Sequence, residues 1–181
     1  MNIRLAILSL VVIFAGCAQV PPLDFAPDDV LPTGAKIDRQ VKDISIAFGK
    51  DDERVGYIEV GFGGNQYEAS FKSSFEDALQ EALIKSAVFN DMADRRVLVV
   101  AKVLKLETPS MGVNFPTDFV VRYQLLDTSS GKLIFTRDIE STGEVEASYA
   151  FMGAARYTEA RNIAVRNNIL EFITSLGEFK E

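Results

Sequence analysis

Ile44, Ile46 and Phe48 alternate with Asp43, Ser45 and Ala47, the period of a half-buried strand in a folded part beginning near Val41. Gly49-Lys50-Asp51-Asp52-Glu53 reads as a turn, and Val55 to Phe62 as a second strand carrying Ile58, Val60 and Phe62 on one face. Together they predict a hairpin. From Asn65, with Glu68 at capping-box spacing, the period lengthens to 3.6 residues. Phe71, Phe75, Ala78, Leu79, Ala82 and Phe89 form one stripe, while Lys72, Glu76, Asp77, Gln80 and Glu81 lie off it. Val97 to Leu106 is almost continuously apolar and predicts an inner strand. Phe119 to Leu125 and Leu133 to Ile139 are two further strands, joined by Asp127-Thr128-Ser129-Ser130-Gly131, a hairpin connection with Gly131 placed for a positive φ. Thr142 to Tyr149 either extends the last strand or forms an irregular edge.

A long C-terminal helix completes the pattern. Val165, Ile169, Phe172, Ile173 and Leu176 make one tight stripe, with Gly177 placed to end it at positive φ. A weaker stripe, Ala160, Ile163, Asn167, Leu170 and Thr174, runs on nearly the opposite side. The order of elements predicts an α+β fold, a mainly antiparallel sheet of four to five strands with two helices packed on one face.

Ahead of this body, Arg4 precedes an uncharged run from Leu5 to Ala15. A spanning helix needs ~20 apolar residues and a signal-peptide core only ~7–15, so the run is the length of a cleaved export signal. Phe14-Ala15-Gly16-Cys17 resembles the bacterial lipobox, in which two small residues precede a cysteine that takes a diacylglyceryl group; Phe14 stands where Leu is usual. The resemblance implies cleavage between Gly16 and Cys17 and lipidation of Cys17. The alternative is ordinary cleavage nearby with an incidental cysteine. Cys17 is the single cysteine, and a free thiol in an exported protein is unusual, which favours the lipoprotein. The layout is then a signal peptide at 1–16, a lipid-anchored stalk at 17–40 and one periplasmic domain at 41–181. The stalk holds four of the six prolines, Pro21, Pro22, Pro27 and Pro32, and is semi-rigid; Leu23, Phe25, Val30 and Leu31 suggest that part of it lies along the domain. In Gram-negative lipoproteins an Asp after the cysteine resembles an inner-membrane retention signal. Ala18 stands there instead, which implies the periplasmic face of the outer membrane.

Charge narrows the partners. The chain carries 19 basic and 26 acidic side chains; removing residues 1–16 takes away Arg4 alone, so the net charge moves from −7 to −8. An acidic domain is a poor ligand for nucleic acid or anionic lipid surfaces, leaving the acyl chains to hold the membrane.

Catalytic equipment is sparse. There is no histidine, and an acylated Cys17 leaves no thiolate, which excludes the usual zinc and iron–sulfur sites. No cofactor is expected. Asp51, Asp52 and Glu53 read as solvated turn acids, and Glu144 with Glu146 supplies too few oxygens for calcium. Gly61-Phe62-Gly63-Gly64 lies between a strand and a helix, as phosphate loops do, but lacks both the dinucleotide and the P-loop signatures. Arg156, Arg161 and Arg166 point in three directions on a helix, and Asn162, one turn before Val165, is expected to bond loop backbone in the core. The loop from Thr108 to Thr117 carries Met111, Val113 and Phe115, which either fold back as a lid or reach a partner.

In layout, Cys17, the proline stalk and the strand–helix body resemble small envelope lipoproteins, including transporter-auxiliary lipoproteins and activators of cell-wall synthases, which act by binding. The expectation is a non-enzymatic accessory module that docks on an envelope protein, or self-associates, through Met111, Val113, Phe115, Ile163 or Leu170. A periplasmic binder of lipid or another amphiphile is the alternative. A transferase or hydrolase ranks third: acyltransferases of the hexapeptide-repeat kind need repeats and a histidine base, and this chain has neither.

Overall fold

The computed structural model describes residues 20–34, 37–59, 64–112 and 114–180. Its elements run β1 (Gln40–Phe48), α1 (Gly64–Ser86), β2 (Arg96–Glu107), β3 (Thr117–Asp127), β4 (Leu133–Gly143) and α2 (Gly153–Gly177). The strands lie in the order β1-β2-β3-β4, with β1 parallel to β2 and the other two pairs antiparallel. The fold is α+β, a mixed but mostly antiparallel sheet with both helices on one face.

Alternation along the strands decides that face. Val97, Val99, Ala101 and Val103 of β2, with Phe119, Val121, Tyr123 and Leu125 of β3, are buried beneath the helices. From α1 come Phe71, Phe75, Ala78, Leu79 and Ala82, and from α2 the predicted stripe Val165, Ile169, Phe172, Ile173 and Leu176. Tyr123 stacks flat on Phe172, with ring centroids 3.8 Å apart. Its hydroxyl donates to Asn168 (2.9 Å), so the phenol is satisfied in the dry interior. Phe89 is buried beyond the end of α1.

The hairpin expected between the first two strands does not form. The chain steps out through Gly49–Arg54 and rejoins the same edge of β2 further along, without reversing. Val55 N–H donates to Leu104 O (3.2 Å), Leu106 N–H to Tyr57 O (2.9 Å) and Glu59 N–H to Leu106 O (2.9 Å), with a parallel bridge at Ile58–Leu106. Helix α1 is therefore the crossover of a parallel pair, which a two-residue turn cannot make. Val60 to Gly63 lie outside the described residues, so the glycine loop does too.

Gly177 also differs from expectation. It lies within α2, and the helix closes at Glu178 in a right-handed conformation (φ −88°, ψ −16°). Its lack of a side chain serves close approach instead: a Cβ there would sit 3.3 Å from Thr33.

That contact belongs to the proline-rich segment, which runs along the helices rather than away from them. Phe25 is 1% exposed and meets Phe71 edge-on at 5.0 Å. Asp24 N–H donates to Asn162 Oδ1 (3.2 Å), and Asn162 Nδ2 donates to Pro22 O (3.1 Å). Further on, Thr33 N–H reaches Ser86 O at 3.0 Å. Asn162 thus bonds loop backbone, as its place on the helix predicts.

Candidate functional site

β1, β2 and β4 end, and β3, α1 and α2 begin, at one end of the sheet. The segments 49–59, 108–116 and 144–152 converge there. The other end carries the Asp127–Lys132 hairpin and the C-termini of both helices. The proline-rich segment passes from Thr33 at the hairpin end toward Pro22, so Val20 emerges near the end where the loops gather.

A buried arginine organises these loops. Arg161 precedes Val165 by one turn on the inward stripe of α2, and its side chain is wholly buried. Nε donates to Thr108 Oγ1 (3.0 Å), Nη1 to Tyr67 OH (3.1 Å), and Nη2 both to Glu59 Oε2 (3.3 Å) and to Tyr157 OH. The guanidinium also lies 4.4 Å from the centroid of the Tyr157 ring. Glu59 accepts from Thr108 N–H (3.3 Å) and Tyr157 OH (3.3 Å), and Thr108 meets Thr117 across the loop base (3.0 Å). Glu59, Tyr67 of α1 and Thr108 are thereby tied to one cation on α2, whose planar fork suits several acceptors at once. Burial pushes the Tyr157 phenol up, so it stays a neutral donor.

The knot supports a small apolar cluster of Phe115, Val145 and Ala160, with Tyr157 and Ile163 against it. Phe115 meets Tyr157 edge-on at 6.1 Å, and Arg156 lies 5.5 Å over the Phe115 ring. Asn114 Nδ2 donates to Glu144 Oε1 (2.6 Å), and Arg156 donates to the carbonyls of Ala150 and Phe151. Loops 108–116 and 144–152 therefore form one unit.

The predicted contact residues separate on this framework. Phe115 folds back as a lid and is 7% exposed, whereas Met111 is 86% exposed. Ile163 is half-buried on the Phe115 cluster, and Leu170 is half-buried further along α2. Gly16, Cys17 and Val113 lie outside the described residues. Sequence reading missed Tyr149, Phe151 and Met152, which stand out from the loop joined to that of Met111; Phe151 is fully exposed. Their signal was an aromatic–methionine run just before a helix. It also missed the burial of Arg161, signalled by its place one turn before Val165.

Chemically, the knot at this end offers hydroxyls and the Arg161–Glu59 ion pair. Among the described residues no group of three His, Cys, Asp or Glu side chains is placed to hold a metal. Serine and carboxylate meet at the opposite hairpin, where Asp127 Oδ1 accepts from Ser129 Oγ (2.6 Å) and Ser130 Oγ (2.8 Å). Those bonds, led by the one from Ser129, hold the Asp127 carboxyl far below the usual carboxylate range. A general base needs a pKa near the working pH, so this group is turn chemistry. No helix among the described residues is long and apolar enough to cross a membrane.

The fold is similar to that of protein XCC0632 from Xanthomonas campestris, with a TM-score of 0.54 at 14% identity over 84% of this chain and 90% of that one. The hypothetical protein CT253 from Chlamydia trachomatis aligns with a TM-score of 0.49 and 12% identity, over 78% of this chain and 97% of that one. For a minor lipoprotein from Acinetobacter baumannii the values are 0.43 and 12%, over 76% and 93%. No family model and no curated protein matches the sequence. The shared feature, resting on the first of these structures, is the fold.

Proposed function

We propose that the chain is a lipid-anchored lipoprotein of the bacterial envelope, on the periplasmic face of the outer membrane, acting without catalysis as an accessory binding module for an envelope protein complex. One observation carries this reading: the segment just after the lipobox-like Phe14–Cys17 is built into the domain. Pro22 and Asp24 are hydrogen-bonded to Asn162, and Phe25 is in the core. A domain tied so closely to its anchor is held in one orientation at a membrane, which suits docking on a partner in that membrane better than roaming as a carrier. The alternative of an amphiphile carrier loses support because Tyr123, Phe172, Phe71 and Phe75 fill the space between helices and sheet. No histidine or second cysteine supplies a nucleophile–base pair.

The test joins two measurements. An alkyne-tagged fatty acid fed to cells should label the wild type and not Cys17→Ser. A photo-crosslinking residue at Ile163 or Leu170 should then join the labelled protein to one discrete envelope protein. Labelled protein that gives no protein adduct from either position counts against the accessory role, and absent labelling counts against the anchor.

A further inference from the structure

We infer that the end of the domain bearing Met111, Tyr149, Phe151 and Met152 is a lipid-contact surface, seated in the head-group region of the leaflet that holds the acyl chains on Cys17. This rests on the reading of Cys17 as the anchor and adds which end of the fold meets the lipid.

Chain length makes the first argument. Pro22 is fixed to Asn162 of α2. From Cys17 to Pro22 is five residues, and at ~3.3–3.6 Å per residue they span at most ~18 Å in any conformation. Asn162 is nine residues into α2, ~14 Å along the axis from Gly153 at 1.5 Å per residue. Acyl chains on Cys17 enter the leaflet, so Asn162 is held within that short reach of the membrane. The described segment runs from the hairpin end past Asn162 toward the start of α2, so the short link to Cys17 leaves the domain nearest the end where α2 begins. The loops before α2 are what that side presents.

The exposed side chains fit the occupant. Met111 is 86% exposed, Tyr149 52%, Phe151 104% and Met152 37%, on two loops joined by the Asn114–Glu144 bond. Single exposed apolar residues are ordinary, but an aromatic and methionine group on contiguous loops marks an interaction surface. The flanking Glu144 and Glu146, and a domain of net negative charge, give anionic head groups no basic patch. The contact is therefore apolar, with side chains entering ~5–10 Å into the head-group and acyl boundary, and it is insensitive to salt. The opposite end, with exposed Ser129, Ser130 and Lys132 in the hairpin, faces water.

The full-length lipidated protein provides the test. It is returned from detergent to vesicles of phosphatidylethanolamine and phosphatidylglycerol containing a nitroxide lipid. With Cys17 acylated, a cysteine introduced by Phe151→Cys, Met111→Cys or Ser130→Cys is the single free thiol for an environment-sensitive dye. All three positions are exposed, so the substitutions spare the core. The expected result is about twofold or greater excess quenching at 151 and 111 over 130, unchanged by added salt. Equal quenching at 151 and 130, in protein whose N-terminal peptide carries the diacylglyceryl mass, overturns the inference and leaves the anchor standing. An N-terminal peptide without that mass overturns both. A protein adduct in cells from a photo-crosslinker at 151, without lipid quenching there, assigns the patch to a protein partner and overturns the inference.

Discussion

Asn162 donates a 3.1 Å hydrogen bond to the carbonyl of Pro22 and accepts one of 3.2 Å from the amide of Asp24. One amide side chain, 1% exposed, thus clamps a proline-rich segment that lies outside the sheet. Replacing it by alanine removes both bonds from the part-buried Pro22 carbonyl and Asp24 amide. The expected cost is ~1–3 kcal/mol of stability. The segment should open before the domain does, so limited proteolysis of Asn162→Ala should cut between 20 and 33 while the body stays intact. Uniform resistance of that segment would show that Phe25 alone holds it.

Gly143, the last residue of β4, lies against α2 so closely that a Cβ would fall 2.1 Å from Ala160 O and 2.4 Å from Ala164 N. Both are helix backbone atoms and cannot rotate away. Gly143→Ala must therefore push α2 from the sheet and loosen the Ser141 Oγ to Ala164 O bond of 2.8 Å. A loss of ~3 kcal/mol or more is expected, at the upper range for overpacking. Urea unfolding of the alanine variant measures it directly.

These two contacts show where the sequence was readable and where it was not. Period 2 in β1, β3 and β4 and period 3.6 in both helices reflect burial on one face, and burial is written in side-chain polarity. Register against a distant element is not. Val55–Glu59 has the alternation of a strand, but nothing local says that its partner is Leu104–Leu106 and not the adjacent β1. Gly177 reads as a stop signal, yet it and Gly143 both answer to the approach of a remote backbone or side chain. Phe25 looked like an apolar residue in a proline tether because its site is assembled from α1. At the loop end, Met111 and Phe115 were recognisable as apolar and out of place. Which of them turns inward depends on Tyr157, over forty positions away.

Asp127 links the hairpin to pH. Its carboxylate accepts from Ser129 and Ser130 through Oδ1 and from Arg39 Nη1 through Oδ2 (2.5 Å). The bonds from Ser129 and Ser130 favour the ionised form and hold the native pKa well below the unfolded value of ~4. A depressed native pKa stabilises the fold fully above the unfolded value, and the contribution drains away as the pH falls toward the native one. In Asp127→Asn that contribution is absent at every pH. The stability difference between wild type and variant should therefore be flat above pH ~5 and shrink steadily below ~4. Urea midpoints from pH 7 to 3 give the comparison; a parallel offset throughout would mean that ionisation of Asp127 plays no part.

Arg161 and Glu59 form an asymmetric pair, since the guanidinium is wholly buried while the carboxylate side chain is 42% exposed. Removing the acid strands a buried cation with neutral hydroxyls, while removing the cation leaves Glu59 free to turn to water but takes the donor from Tyr67 OH and leaves Thr108 Oγ1 with Thr117 alone. Arg161→Met should cost ~2–4 kcal/mol, below the full value for a buried pair because one partner is already hydrated. Glu59→Gln should cost less, ~1–2 kcal/mol, because an amide oxygen still accepts from Nη2. The double variant should lose less than the two singles together, since the stranded charge is gone. Arg161→Lys should not restore stability, because a single ammonium cannot reach Thr108, Tyr67 and Glu59 at once. Amide exchange separates this role from a general loss of packing. Protection should fall first in 108–116 and 144–152, the loops tied through Thr108 and Tyr157, while β2 and β3 exchange only by global unfolding.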